Sequence, residues 1–176
     1  MNFADPKSNV LQLGLRDGMR IADLGSGVGH YSLAAAAAVG REGRVYAVDV
    51  QEDLLTHLKS SADHAGLRNI ETIWGNFEKP GGTRLRDHTV DAAILSDVLF
   101  QVEAHQGALA EVRRIVKPGG KLLVIDWAGS YGGVGPQPDH VISEHAAEEL
   151  FITAGFHKVK SFRAGAHHYG IVFTSP

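Results

Sequence analysis

Cysteine is absent from the 176 residues of this chain. Its absence excludes disulfide bonds, thiolate zinc sites and cysteine nucleophiles. No apolar run approaches the ~20 residues that a membrane-spanning helix needs. The N-terminal stretch MNFAD also lacks the basic segment, followed by an apolar one, that marks a secretory signal. We therefore expect a cytoplasmic protein without a membrane span.

An excess of positive charge is lacking as well. The 17 Lys and Arg residues against 20 Asp and Glu give a net charge of −3, which is not the electrostatic footprint of a nucleic-acid-binding protein. The length and the 44% of hydrophobic residues suit one core, so we expect a single domain over residues 1–176. A local basic patch would still indicate a protein or RNA substrate, unless it is only a solvated helix face; its candidates are Arg84, Arg86, Arg113, Arg114 and Lys117.

Glycine, by contrast, is concentrated where the rest of the chain is organised, in the stretch IADLGSGVGHY from Ile21 to Tyr31. Its apolar start predicts a strand buried on both faces. Glycines at 25, 27 and 29 follow, and the alanine-rich run from Tyr31 to Val39 predicts a helix. A glycine turn that leads from a parallel strand into a helix is where doubly wound sheets bind nucleotides.

The spacing of these glycines indicates which nucleotide. A dinucleotide fingerprint requires G-x-G-x-x-G, but His30 stands where its third glycine would be. Asp23, at the end of the strand, would repel a pyrophosphate and suit a ligand that carries an ammonium and a sulfonium, as S-adenosylmethionine does. The alternative is that the glycines only make a tight turn, with Asp23 capping nearby amides.

A second carboxylate ends the next predicted strand, from Arg44 to Asp49. Asp49 lies about 20 residues beyond the glycine loop, the separation typical of a ribose-binding acid. The alternative is that Asp49 caps the helix predicted from Gln51 to Ala65, and one acid could serve both needs.

Two further strands end in polar residues. Asn76 and Phe77 follow the strand from Ile70 to Trp74 and could contact the edge and face of an adenine, unless Phe77 belongs to the core. Ser96 and Asp97 end the apolar, and therefore central, strand that begins at Val90.

The remaining pattern predicts an α/β protein with a mostly parallel sheet, helices on both faces and an antiparallel strand at the end. A glycine-rich stretch without periodicity begins at Ala128. Long structureless connections are usually functional, so we expect a mobile lid from Ala128 to Ile142 over the acceptor site. The other predicted elements are a short helix led by Asp5 and Pro6, a strand over 19–24, a helix over 103–116, a strand over 121–127, a helix opened by Ser143, and a hairpin of strands over 156–163 and 167–174.

With these motifs in order, the chain resembles the class I S-adenosylmethionine-dependent methyltransferases, in particular the small ubiquinone/menaquinone-biosynthesis type. The resemblance extends from about Asp5 to Phe173. It implies a Rossmann-like doubly wound sheet of seven strands, in the order 3-2-1-4-5-7-6, with strand 7 antiparallel. Its motifs are ADLGSGVG over 22–29, the acid of Val48-Asp49, EVRRIVKPGG over 111–120, and AGF over 154–156.

The resemblance also implies roles for individual residues. Asp23, Gly25 and Gly27 would border the methionine part of the cofactor, Asp49 would bind the ribose hydroxyls, and Asn76 and Phe77 would flank the adenine. Ser96 and Asp97 would face the methyl donor and the acceptor. The expected cofactor-binding set is Asp23, Gly25, Ser26, Gly27, Gly29, Asp49, Val50, Asn76, Phe77 and Ser96.

A general base is needed only if the methyl acceptor carries a proton of high pKa. The candidate catalytic residues are Asp97, His140 and His145, and His30 could touch the cofactor or the acceptor. Each histidine taken singly is more often a surface or structural residue. Spacing typical of metal ligands is missing, so we expect no metal. The remaining histidines weighed in this way are His105, His167 and His168.

Three functional interpretations stay open. The mildly acidic charge and compact chain favour a methyltransferase that acts on a small molecule. A methyltransferase for protein or RNA is the second, and a nucleotide-dependent oxidoreductase or a non-catalytic cofactor-binding module is the third.

Overall fold

A computed structural model describes residues 4–176. Residues 1–3, which belong to the predicted domain and to the stretch inspected for a signal sequence, lie outside the described residues. The strands are β1 Arg20–Leu24, β2 Arg44–Asp49, β3 Ile70–Trp74, β4 Val90–Ser96, β5 Val116–Trp127, β6 His157–Arg163 and β7 His168–Thr174. The helices are α1 Pro6–Val10, α2 His30–Ala38, α3 Glu52–His64, α4 His105–Ile115 and α5 Glu144–Thr153.

The seven strands form one sheet in the order β3-β2-β1-β4-β5-β7-β6. Strands β1 to β5 pair in parallel, while β7 runs antiparallel to both β5 and β6. This is the order and the antiparallel strand that the resemblance implies, and the predicted fold class is confirmed. Parallel strands with helical crossovers bring their carboxyl ends to one edge of the sheet, where β1, β2 and β4 deliver their polar terminal residues.

The central strands are apolar because both faces of the sheet are covered. Alternate residues of β1, β4 and β5 face opposite layers. One layer packs α4 and α5 on the sheet through residues such as Val112 and Phe151. The other packs α1 and α2 through residues such as Val10 and Ala35.

Two predicted helix starts are confirmed. The Asp5 carboxylate accepts a hydrogen bond from the Lys7 amide, and Pro6 occupies the first helical position. The Ser143 hydroxyl accepts from the Ala146 amide at 3.2 Å and begins α5. Among residues 4–176, the structure holds no helix that is both long and apolar enough to cross a membrane.

The predicted start of β5 is wrong by five residues. The strand begins at Val116, directly after α4, rather than at Lys121. Its glycines pair with the end of the chain, since the Gly119 amide donates to the Ser175 carbonyl and the Ser175 amide donates to Gly120. A Pro-Gly-Gly composition favours a loop, and these long-range backbone bonds override that local preference.

A buried network anchors the connection before β4. The Glu111 carboxylate on α4 accepts from the Gly81 amide and from the Thr83 amide and hydroxyl. Two guanidinium nitrogens of Arg114 also bind it, at 2.9 and 2.7 Å. Burial alone would raise the pKa of Glu111, but these bonds outweigh burial and lower the pKa to about 2.

Replacing this carboxylate tests the network. Glu111→Gln should reduce the free energy of unfolding by about 1–3 kcal/mol at pH 7, because buried partners of a charged group lose their bonds. The lowered pKa makes the wild-type contribution complete above pH 4.5 and progressively lost toward pH 2. Urea unfolding measures the difference. The control Glu149→Gln alters an exposed pair with His145, and an equal loss in both variants would contradict the network's role.

Candidate active site

A cavity of about 790 Å³ opens at the carboxyl ends of the parallel strands. The glycine loop after β1 and the turns after β2, β3 and β4 surround it, which is where doubly wound sheets hold ligands. Its charged and titratable lining residues are Asp23, Asp49, Glu78, Asp97, His30, Tyr31 and His168. The described residues contribute no Lys or Arg to this lining.

The three loop glycines all adopt left-handed backbone conformations, with φ of 72°, 53° and 88°. Gly29 caps the start of α2, and a Cβ placed there would overlap the side chain of Leu58. A Cβ at Gly25 would lie 2.6 Å from Val98, whereas one at Gly27 would meet nothing within 4 Å. Gly29 therefore serves packing, while Gly27 leaves open space at the cavity.

Asp49 holds the glycine loop in place. Its Oδ2 accepts from the Gly27 amide at 2.8 Å and its Oδ1 accepts from the Gln51 amide at 2.9 Å. The N-cap of α3 is Gln51, so Asp49 fastens the residue before the helix instead of capping it directly. The Gly27 amide is consequently already bonded and does not point free toward a phosphate.

Asp23 lies beneath the loop and is buried. Burial raises its pKa to about 6, although the Ser32 hydroxyl, which donates to Oδ2 at 2.6 Å, works in the opposite direction. The nearby Asp49 carboxylate raises it further. A buried carboxylate with one strong hydrogen bond attracts a cation placed in the adjoining cavity.

Asn76, Phe77 and Val50 line the part of the cavity beside β2 and β3. Phe77 is buried and belongs to the core layer, so the core alternative holds, yet its side chain also reaches the cavity. Asn76 Oδ1 accepts from the Glu78 amide at 2.8 Å, which fixes the turn. Val50 stays 56% exposed, and its carbonyl accepts from the Trp74 indole.

The opposite end of the cavity is formed by Asp97, Trp127 and His168. Nε2 of His168 lies 3.0 Å from Oδ1 of Asp97, and the imidazole packs on Trp127 at 4.3 Å between ring centroids. Asp97 itself has φ of 55°. A non-glycine residue in this region costs about 1–3 kcal/mol and often marks a functional site.

Asp126, at the end of β5, is buried behind this group. Its two oxygens accept from the Leu99 and Trp127 amides, at 2.9 and 2.8 Å. Burial, with the neighbouring Asp97 charge adding to it, raises the pKa of Asp126 to about 7, against the opposing influence of the two amides and of His168.

Comparison with known proteins identifies the family. A family model described as a methyltransferase domain matches residues 15–164. The chain belongs to this methyltransferase domain family. A demethylmenaquinone methyltransferase of Bacillus mycoides (strain KBAB4) is 31% identical over 121 residues, which are 68% of this chain and 49% of that protein. A second, from Bacillus cereus (strain AH187), is 29% identical over the same shares.

The chain thus spans about half the length of the curated relatives that it matches. Among solved structures, a SAM dependent methyltransferase from Aquifex aeolicus superposes with a TM-score of 0.89 at 29% identity. That match covers 98% of this chain and 90% of the other.

Most predicted cofactor residues of this methyltransferase domain line one cavity. Gly29 stands behind the loop, outside the lining set. His140 and His145 are exposed and also outside it, and His145 Nε2 lies 3.6 Å from Glu149. No residue of the predicted lid over 128–142 lines the cavity, and Tyr131 from that segment packs on His167 at 4.1 Å. The catalytic roles of His140 and His145, and the lid, stay predictions.

One residue that lines the cavity, His168, was not predicted from the sequence. His168 looked like one of several structural histidines, yet it faces the cavity because β7 pairs with β5 and sets His168 opposite Trp127. A signal was available only in the strand order, since the start of an antiparallel β7 must lie beside the carboxyl end of β5. The described residues hold no group of three or more side chains placed to bind a metal ion.

Two of the three loop glycines, Gly27 and Gly29, give a matched pair of variants. Gly29→Ala should lower the free energy of unfolding by about 2–4 kcal/mol, since it adds an overlap with Leu58 to left-handed strain. Gly27→Ala should lower the free energy of unfolding by only about 1–2 kcal/mol, because it adds left-handed strain without an overlap. Urea unfolding compares them, and equal losses would show that the space around the two positions does not differ.

The buried Asp23 predicts a pH-dependent stability. Because its pKa is raised from 3.8 to about 6, the folded protein binds a proton that the unfolded chain has released, and stability falls as pH rises through this window. Asp23→Asn should therefore be more stable than wild type at pH 7.5, by up to about 3 kcal/mol, with no gain below pH 4. Urea unfolding at both pH values measures this. The exposed control Asp139→Asn should show no such difference, and a pH-independent effect of Asp23→Asn would contradict the assignment.

Proposed function

We propose that this chain is an S-adenosylmethionine-binding methyltransferase domain, extending over residues 1–176, that acts on a small-molecule acceptor. The observation that carries the proposal is the charge of the cavity. Its lining includes four carboxylates and, among the described residues, no Lys or Arg. The Gly27 amide, which a dinucleotide pyrophosphate would need, is bonded to Asp49. A lining with this negative charge suits a cationic nucleoside and disfavours an anionic one.

The residues present fit that ligand. Ser26 Oγ is buried at the loop, lines the cavity and has no hydrogen-bond partner within the described chain. A ligand with polar groups would satisfy it, as buried polar atoms require. The open space above Gly27 allows the ligand to approach the backbone. Both features are consistent with a built binding site rather than with a turn made only for packing.

Each part of the cavity would then hold one part of the ligand. Asp23 would balance the charge of the methionine amino group, and Asp49, whose oxygens have remaining lone pairs, would accept from the ribose hydroxyls. The adenine would lie along Phe77 beside Asn76. The other expected contacts are Gly25, Gly27, Val50 and Ser96, all of which line the cavity, while Gly29 supports the loop from behind.

When bound, S-adenosylmethionine supplies a methyl group on a sulfonium, a leaving group that needs no further activation. The chain's own contribution is to align the acceptor and to exclude water. Asp97 stands where the cavity continues beyond the loop, and we propose it as a catalytic residue that touches the acceptor. His140 would join it only if the segment over 128–142 moved toward the cavity, and His145, in the first turn of α5, only if the start of that helix moved as well.

Ion pairing of the basic residues favours a small acceptor over a protein or RNA acceptor. Arg114 is paired with Glu111 and Asp87, and Lys117 is paired with Asp91. These pairs neutralise part of the patch that would have indicated a large anionic partner. The two Bacillus relatives described above are named for methylating demethylmenaquinone, a small molecule.

Ligand binding tests the proposal directly. Titration calorimetry should show that S-adenosylhomocysteine binds the protein and that NAD does not. Asp49→Asn should weaken the binding of S-adenosylhomocysteine by about tenfold or more, equivalent to about 1.4 kcal/mol, because a strong ribose acceptor is lost. The control Asp53→Asn, in the exposed first turn of α3, should bind like wild type.

Thermal unfolding of both variants checks that the fold is retained, since Asp49 also accepts two backbone amides. Binding of NAD in place of S-adenosylhomocysteine would support the oxidoreductase alternative. Wild-type affinity in a folded Asp49→Asn would refute the ribose role.

A further inference from the structure

The acceptor end of the cavity contains an acid and an imidazole brought together from distant parts of the chain. Asp97 follows β4, and His168 is the first residue of β7. Nε2 of His168 lies 3.0 Å from Oδ1 of Asp97, and both residues line the cavity. The His168 side chain is only 4% exposed, whereas that of Asp97 is 40% exposed. The pair therefore joins a fixed imidazole to a carboxylate that a ligand can reach.

Neither side chain is satisfied by the protein alone. Oδ1 of Asp97 and Nδ1 of His168 are buried atoms without a hydrogen-bond partner within residues 4–176. The close approach of Nε2 to Oδ1 does not have the orientation of a hydrogen bond, and the remaining bond of Asp97 is a long one, 3.3 Å from the Ser96 hydroxyl to Oδ2. Buried polar groups left without partners are costly, and such a pair points to a ligand that completes it.

The surroundings of His168 are acidic. Asp97 and Asp126 approach it from the ends of β4 and β5, and burial together with the Asp97 charge raises the pKa of Asp126. Tyr169, the next residue, donates its hydroxyl to the Ile142 carbonyl, and burial raises its pKa, so it stays neutral. Arg163 on the neighbouring β6 is exposed and bonds to loop carbonyls. Carboxylates at the ends of two neighbouring strands therefore lie close to the His168 imidazole.

We propose that His168 is a catalytic residue that accepts a proton at Nε2 from a weakly acidic hydroxyl of an uncharged methyl acceptor, and that Asp97 stabilises the resulting imidazolium. The inference rests on the proposed function and adds to it the base and the chemical class of the acceptor. His168 was not among the predicted catalytic residues. In this inference Asp97 acts on the imidazolium through its charge.

The proton balance is simple. The hydroxyl proton moves to Nε2, and the electron pair of the O–H bond stays on oxygen. The oxygen uses that pair to bond to the methyl carbon, while the pair of the broken carbon–sulfur bond remains on sulfur, giving a neutral thioether. The positive charge that the sulfonium brought ends on the imidazolium, 3.0 Å from the Asp97 carboxylate. No other reactant is required.

The walls around the pair define the acceptor. Trp127, Val98 and Val102 supply apolar surface at this end. An acceptor with a carboxylate or phosphate would meet carboxylates and, in the described lining, no cation to pair with. An uncharged, partly apolar molecule with one acidic hydroxyl fits this combination of apolar walls and a single base.

The experiment uses 4-nitrophenol, an uncharged hydroxyl compound whose phenolate form absorbs visible light. The probe is added to protein saturated with S-adenosylhomocysteine, at a pH where the free probe is mostly protonated. Calorimetry measures how much probe is bound, and the absorbance measures how much of the bound probe is phenolate. We expect the bound probe to be enriched in phenolate, because its proton passes to His168.

Three variants identify the base. His168→Gln should bind S-adenosylhomocysteine like wild type but lose the phenolate enrichment, and Asp97→Asn should reduce the enrichment by about tenfold, as the loss of one opposite charge would. His157→Gln, at an exposed histidine on β6, should match wild type. Because His168 is buried, Asp97→Asn keeps the test available if His168→Gln does not fold.

The outcomes separate this inference from the proposed function. Failure of wild type to bind S-adenosylhomocysteine would refute the proposed function itself. With that ligand bound, three results would each overturn the inference alone: no binding of 4-nitrophenol, binding without phenolate enrichment, or enrichment that survives in a folded His168→Gln or, where that variant does not fold, in Asp97→Asn.

Discussion

The bonds from the Gly27 and Gln51 amides to the Asp49 carboxylate are the constraint on which the site depends. They join the loop after β1 to the start of α3, and so fix the glycine backbone relative to the second strand. The Gly25 and Ser26 amides add to this junction by donating to the Val48 carbonyl, at 2.8 and 3.1 Å. A loop tied in this way offers a carboxylate, not a row of free amides, to whatever enters the cavity. The proposal of a cationic ligand rests on that difference.

Two acids at or behind this cavity are buried at a cost to the fold. Asp23 and Asp126 have pKa values raised to about 6 and about 7 because burial disfavours their charged forms. Glu111 is the contrast, since its five bonds to Thr83, Gly81 and Arg114 lower its pKa to about 2. The carboxylate with full bonding stabilises the scaffold, whereas those left short of partners lie at or behind the cavity. This division is typical of proteins that give up stability at functional sites.

The proposed acceptor pair is consistent with the same logic. Asp97 occupies a strained backbone position, and the buried His168 leaves Nδ1 without a hydrogen-bond partner within the described chain. Their proximity depends on the antiparallel insertion of β7 between β5 and β6, the feature that departs from an all-parallel sheet. A scaffold shared by many proteins can thus acquire its own chemistry beside the strand of the described sheet that runs in the opposite direction.

The sequence by itself determined the strands, the glycine loop and the acids at 23 and 49, because apolar runs, left-handed glycines and strand-end carboxylates are local signals with local causes. The order of the strands came with the resemblance to a known family. Only the tertiary structure decided that β5 begins at Val116, that Glu111 anchors Thr83, and that His168 meets Asp97. Each of these depends on backbone pairing or side-chain contact between residues far apart in the chain. Such contacts leave no periodicity or spacing in the sequence, since they arise from how the sheet orders its strands.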